Sequence, residues 1–365
     1  MAYFEICVPN FNYERYLGAT LDSVLSQRFA DLRVLVSDNA STDDSVALVR
    51  AYQQRDSRIH LRINRCNVGF AGNLAKAAAM ADGTYMLMLS SDDLMNDDAL
   101  QTYQLLFDHL GALSQQCVVS SATTIVDSEG RETGEQRIDW KQWKGATHER
   151  ALSELLDAPV YSLDAKTLLH NSLLTLRVPF YFLSTAYPKS LHDAVESYSQ
   201  GGLFNPDKRF AWALLGHAQR AYFVDKPLFR YRVHTANQAA LQAGTGALRH
   251  LVDEYVSTFS LDNSLLVSAD VSRPQVISAF IEHDIALRGF KVLADGNRQL
   301  VRRMLAFGDA CYPEQMAKNR KISALRLALM TGVAGSTAAR FALGPATKLW
   351  TRQLSRHQQP TGKKS

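Results

Sequence analysis

Apolar and polar residues along the first hundred positions switch period several times. Tyr3–Val8 is a short run of β-formers, and Leu17, Leu21, Val24 and Leu25 follow at i, i+4, i+7 and i+8, the stripe of an amphipathic helix. Leu32–Val36 is an apolar run of the kind buried on both faces of a parallel sheet. Ser41–Asp43 offers cap chemistry for a helix carrying Val46, Val49 and Tyr52. Ile59, Leu61 and Ile63 alternate as a strand, Gly72–Ala81 reads as helix, and Tyr85–Leu89 as strand again. Repeated β-α-β units with short connections predict an α/β protein whose mostly parallel sheet is flanked by helices. In such sheets ligands bind beyond the carboxyl ends of the strands. The polar clusters Pro9–Asn12, Ser37–Asp43, Asn64–Asn73 and Ser90–Asp93 fall at those ends.

Beyond Asp97 a helix carries Leu100, Tyr103, Phe107 and Leu110, and Val118–Val126 meets the turn Asp127-Ser-Glu-Gly130, a hairpin signal. Residues 140–200 carry no clear period. From about Ala239 the pattern is mainly helical. The expected organisation is therefore a body over 1–238, divided into halves 1–100 and 101–238, with a helical extension over 239–365.

Charge changes this picture at one end only. Of 40 basic residues, ten lie from Lys318 onward, where there is no Asp or Glu, so residues 1–317 carry 30 basic against 36 acidic groups. The body is acidic and the tail basic. Ile322, Leu325, Leu329 and Val333 share one helical face beside Lys318, Arg320, Lys321 and Arg326, a pattern open to peripheral contact of residues 318–365 with an anionic membrane or to a packed helix with a solvated end. No nucleic-acid recognition motif accompanies the charge. Four dispersed cysteines form no CxxC pair, and no apolar run approaches the ~20 residues that span a bilayer. A cytoplasmic protein is expected, peripheral at the inner face of the membrane if the tail binds lipid.

The clusters suit the breaking of a bond to a nucleoside diphosphate. Asp92-Asp93 after an apolar strand can hold a hard divalent cation that neutralises phosphate; alternatively the pair favours the start of a helix. Asp38 can accept the ring N–H of a uracil or thymine, or close an Asx-turn or cap a helix. Phe11 can lie against a flat base or join the core. Asn67-Val-Gly-Phe-Ala-Gly72 supplies two glycines where backbone can approach a ligand.

Taken in order, these segments resemble the family 2 glycosyltransferases. Pro9-Asn-Phe-Asn12 is similar to the PxYN opening, Ser37-Asp-Asn-Ala-Ser-Thr-Asp43 to the DDGSTD segment, and Asn64–Asn73 to the N-x-x-N-x-G stretch. Met88-Leu-Ser-Ser-Asp-Asp93 resembles the LDxDD motif, while Asn205–Trp212 and Tyr231-Arg-Val-His234 resemble the later acidic and YRxH segments. The resemblance covers about residues 3–240. It implies a GT-A fold, inversion at the anomeric carbon, Mg²⁺ or Mn²⁺, a UDP- or dTDP-type nucleotide-sugar donor, and a saccharide or lipid-linked acceptor. Carried over, it puts Pro9, Asn10, Phe11, Asp38, Asn67, Gly69, Asn73 and Asp92 on the donor, Asp93 and His234 on the metal, and Asp207 as general base. Without the resemblance, Asp207 reads as a helix N-terminal residue. Ser37 and Ser90 stand where the family pattern has Asp. The implied activity is transfer in surface polysaccharide or glycolipid synthesis. A catalytically weak donor-binding scaffold subunit is the alternative. A nucleotidyltransferase would need a Gly- and basic-rich loop after the first strand, which Pro9–Arg15 is not.

Overall fold

A computed structural model describes residues 3–195, 198, 206–234 and 247–342. Contacts divide the chain into two units, residues 1–234 with 261–272, and residues 235–260 with 273–365.

The first unit is built on one mixed sheet in the order β3-β2-β1-β4-β10-β6-β11-β9-β8. Strands β1 (Phe4–Asn10), β2 (Leu32–Asp38), β3 (Ile59–Ile63) and β4 (Tyr85–Met88) are mutually parallel. They are joined by helices α1 (Glu14–Leu25), α2 (Ser45–Arg55) and α3 (Gly69–Ala78). Every residue of β1 and β4 is buried, as expected of strands covered on both faces. The chain moves outward from β1 to β2 and β3, then returns to place β4 on the other side of β1. Such a reversal marks the usual ligand position in open α/β sheets, beyond the carboxyl ends of the strands on either side of it, here β1 and β4.

The far half is assembled differently. The short β5 (Leu94–Met95) pairs antiparallel with the end of β11 (Arg220–Arg232), and helix α4 (Ala99–Leu110) follows. Strand β6 (Cys117–Val126) turns back into β7 (Glu132–Gln136) through Asp127–Arg131, with Gly130 at φ 81°, so the expected hairpin is present. After β8 (Thr147–His148), α5 (Arg150–Leu156), β9 (Val160–Asp164) and α6 (Ala165–Thr175), a three-residue β10 (Ala186–Pro188) inserts antiparallel between β4 and β6. The parallel order of the first hundred residues thus gives way to a mixed sheet. Helices α7 (Lys189–Asp193) and α8 (Pro206–His217) lie between β10 and β11 in sequence.

The second unit is helical among its described residues. Its apolar interior includes Ile322 and Leu325, both fully buried, and Leu329. A Cβ on Gly289 would come within 2.5 Å of Leu325 Cδ2, so this helix face is in tight contact inside the unit. Of the two readings of residues 318–365, the packed helix is the one the described residues carry: the face of Ile322, Leu325 and Leu329 is buried inside this unit. Lys321 and Arg326 are ion-paired to Glu282 and Asp309. Residues 343–365 lie outside the described residues. No described helix is long and apolar enough to cross a membrane.

Candidate active site

The carboxyl ends of β1, β2 and β3 are tied by a buried amide and hydroxyl network. Asn73, on α3, accepts from Ser37 Oγ at 2.8 Å and Asn64 Nδ2 at 3.0 Å, and donates to the Asn10 and Ser37 carbonyls. Asn39 continues it, accepting from Asn64 Nδ2 and Val68 N and donating to Asn67 Oδ1 at 2.8 Å. Asn67 also receives the N–H of Gly69, whose φ of 78° only a glycine adopts without strain. Helix α3 starts at Gly69, three residues before the periodicity predicts, so both glycines of Asn67–Gly72 belong to its first turn. Ser37 is a bridging donor in this network, in place of the buried carboxylate the family pattern would put there.

Asp38 ends β2 and is 1% exposed. Its oxygens accept from Ser41 N at 2.9 Å, Ser41 Oγ at 2.7 Å and Asn10 Nδ2 at 2.8 Å. The bond from Ser41 N reaches three residues back, so Asp38 closes a local side-chain turn without the two-residue bond of an Asx-turn. The neighbouring Asn10 Oδ1 is buried without a hydrogen-bond partner. Pro9 is buried, and its carbonyl accepts from Ser91 Oγ at 2.7 Å, which stitches β1 to the loop after β4. Phe11 is 38% exposed just past β1, so it is not a core aromatic. Asn12 turns the chain at φ 57° and accepts Thr42 N.

Asp92 and Asp93 follow β4, and β5 carries their loop onto the end of β11. There Arg232 N donates to Asp93 Oδ1 at 2.9 Å, and Arg232 Nε donates to the Asp92 carbonyl. The Arg232 guanidinium also reaches the Asp127 and Ser128 carbonyls and lies 5.0 Å from the Tyr16 ring centre. His234 Nε2 is 2.9 Å from Asp92 Oδ2, with its ring against Tyr16 and Tyr13. His234 therefore orients Asp92, and that nitrogen would reach a metal only by giving up the bond. Asp93 is 1% exposed. Burial, and then the charge of Asp92, push its carboxyl well above the usual range, while Arg232 and Ser90 pull the other way. With Ser90 the site gains a hydrogen bond where a third carboxylate would have added repulsion.

Asp207 sits in the first turn of α8, half-buried, and shares a pocket with Met88, Tyr187 and Tyr198. Met88 is the last residue of β4, so this pocket adjoins the base of the acidic loop. Tyr231 is pushed up by burial first, and then by the charges of Asp93, Asp92 and Asp207. Asn205 lies outside the described residues. Arg232 and Tyr231 were not singled out from sequence, although both stand inside the Tyr231–His234 segment; adjacency to His234 was the available signal.

Two buried, adjoining carboxylates with oxygen donors fit a hard divalent cation.

Comparison with known proteins bears on the family and the fold. Residues 5–173 match the family Glycosyl transferase family 2. Among solved structures, S. aureus TarS (residues 1–349, in complex with UDP-GlcNAc) superposes with TM-score 0.58 at 18% identity, covering 92% of this chain and 88% of that one. The mannosyltransferase PcManGT from Pyrobaculum calidifontis, in complex with GDP-Man and Mn²⁺, gives TM-score 0.52 at 17% identity, covering 97% and 84%. At such identities the likeness is one of fold. In sequence, chondroitin synthase of Escherichia coli is 30% identical over 126 residues, 34% of this chain and 18% of that protein. The GalNAc(5)-diNAcBac-PP-undecaprenol beta-1,3-glucosyltransferase of Campylobacter jejuni is 33% identical over 103 residues, 28% and 33%. The chain spans a third or less of the length of these two relatives. The fold is that of the GT-A glycosyltransferases. Over residues 5–173 the chain carries a family 2 glycosyltransferase domain.

Proposed function

We propose that this protein is an inverting glycosyltransferase that moves a sugar from a UDP- or dTDP-type donor to a hydroxyl of a saccharide or lipid-linked acceptor, in surface polysaccharide or glycolipid synthesis. The observation that carries the reading is the buried Asp92–Asp93 pair at the switch point of the sheet, braced by Arg232 and His234. TarS bound to UDP-GlcNAc and the C. jejuni glucosyltransferase support the donor and acceptor classes.

Asn10 and Asp38 lie where the base would be received, and Phe11 offers an exposed ring to stack on it. Asp92 and Asp93 would hold Mg²⁺ or Mn²⁺, which when bound neutralises charge on the departing diphosphate. Asp207 takes the proton of the acceptor hydroxyl as its oxygen attacks the anomeric carbon from the face opposite the leaving group. The bond from that carbon to the diphosphate oxygen breaks, and the electron pair leaves with the nucleoside diphosphate. Inversion follows from the single displacement.

The test is a panel of nucleotide sugars, scored by calorimetry with and without chelator and by release of nucleoside diphosphate. Cation-dependent binding and turnover of a uridine or thymidine donor is expected. Equal affinity for that donor with and without chelator would remove the metal from the reading, and absence of turnover with every donor and acceptor would leave a binding subunit.

A further inference from the structure

We propose that His250, Glu254 and Asp284 form a second divalent-cation site, built inside the helical unit and independent of the function proposed above. His250 and Glu254 lie one turn apart on the helix Ala247–Phe259, so both project from one face. His250 Nε2 and Glu254 Oε1 are 3.6 Å apart. One ligand atom from each of the three residues lies within 4.8 Å of the others. Two ligands bound tetrahedrally at ~2.1 Å are about 3.4 Å apart, so a small closing of the set brings them onto one ion.

Asp284 is the independent sign that something belongs there. It is 5% exposed, and only its Oδ1 is engaged, by Arg288 Nη2 at 2.9 Å. Its Oδ2 is buried with no partner. A buried carboxylate oxygen without a donor is costly, and a bound cation answers it. Arg288, four residues on, fixes the carboxylate from one side and leaves the other oxygen for the ion, the arrangement by which outer groups orient metal ligands. Glu254 is equally buried. His250 is the partly exposed member and provides the way in. Asp284 also stands in a seven-residue π-helical stretch, Ile281–Leu287, a rare backbone that recurs at functional sites.

One imidazole and two carboxylates, with no thiolate, select Zn²⁺ or Mn²⁺, with water completing the shell. The ion would fasten the helix Ala247–Phe259 to the Ile281–Leu287 stretch, two elements some thirty residues apart in sequence.

The test uses the untagged full chain, stripped with chelator, desalted and titrated with Zn²⁺ in the absence of nucleotide. Elemental analysis and thermal unfolding are the readouts. Wild type and Asp93→Asn are expected to keep one tightly bound equivalent and to gain several degrees in Tm with Zn²⁺. His250→Ala and Asp284→Asn are expected to bind it at least about tenfold more weakly and to lose the gain. The proposal is overturned if wild type retains no ion, if His250→Ala binds Zn²⁺ as wild type does, or if the ion is lost in Asp93→Asn instead. Should Asp284→Asn fail to fold, Co²⁺ spectra of wild type and His250→Ala decide: loss of the imidazole must change the visible bands, and identical spectra refute the site.

Discussion

Asp93 shows how one side chain serves function against stability. Its carboxyl is raised in the folded chain, so between the unfolded and folded values the native state binds more protons than the unfolded state. Stability contributed by this group is therefore lost as pH rises through that window. Asp93→Asn keeps an acceptor for Arg232 N and removes the titration. In chelator at neutral pH the variant is expected to melt at or above wild type, with a flatter dependence on pH. It is also expected to lose the cation-dependent part of nucleoside diphosphate affinity. Thermal unfolding across pH, with calorimetry beside it, checks both; a variant that melts below wild type in chelator contradicts the account. Asp207 separates differently. Asp207→Asn removes a base while keeping size and much of the hydrogen bonding. Transfer is expected to fall ~10²–10⁴-fold with donor affinity little changed, measured by steady-state turnover and by binding of the intact donor. Loss of donor binding in that variant would make Asp207 a structural residue. From sequence, the Asp92-Asp93 pair could be proposed from its place after an apolar strand, whereas Asp207 rested on motif resemblance, because an isolated carboxylate at a helix end has an ordinary capping role. Arg232 was less legible still. Its partners Asp92 and Asp93 are some 140 residues away, and no local pattern announces such a contact.

At the scale of elements, the first hundred residues were legible because periods of 2 and 3.6 are local properties. Strands β1 to β4 and helices α1 to α3 fall close to where the pattern puts them. The start of α3 moved to Gly69 because Asn39 and Asn67 capture its first N–H groups, a long-range effect that periodicity does not contain. Strand β10 was invisible: three residues are too few to show alternation, and its position is set by the gap between β4 and β6. The Asn73 network carries the prediction at this level. Asn73→Ala strips partners from Ser37 Oγ, Asn64 Nδ2 and two backbone carbonyls in a buried setting. A loss of roughly 1–3 kcal/mol is expected, read as a shift in urea midpoint at constant slope. Asn67→Ala, at the exposed end of the same network, is expected to cost less than ~1 kcal/mol. Equal costs at the two positions would show that the network is not the clamp holding these strand ends together.

For the whole molecule, the helical character beyond residue 239 was legible, but its division was not. The segment Leu261–Ser272 belongs by its contacts to the first unit, while helices before and after it belong to the second. All three stretches read alike, since an amphipathic stripe says that a face is buried without saying against what. The same ambiguity produced the membrane reading of the basic end, where Ile322 and Leu325 prove to be fully buried. Removing residues 318–365 therefore deletes part of an apolar interior rather than a detachable lipid tether. Loss of packed leucine and isoleucine side chains of this kind typically costs ~2–5 kcal/mol each. That is enough to unfold a unit of marginal stability. The donor residues proposed here lie between Pro9 and His234, all outside the deleted stretch. The truncated chain is thus expected to lose the calorimetric transition of the helical unit, and to show greater protease sensitivity across residues 273–317, yet still to bind the nucleoside diphosphate. Full retention of that transition would contradict the packing of Ile322 and Leu325 as an essential part of the interior. Loss of nucleotide binding with the first unit still folded would mean that donor recognition needs residues beyond 317, and the assignment of the whole donor site to residues 9–234 would fall.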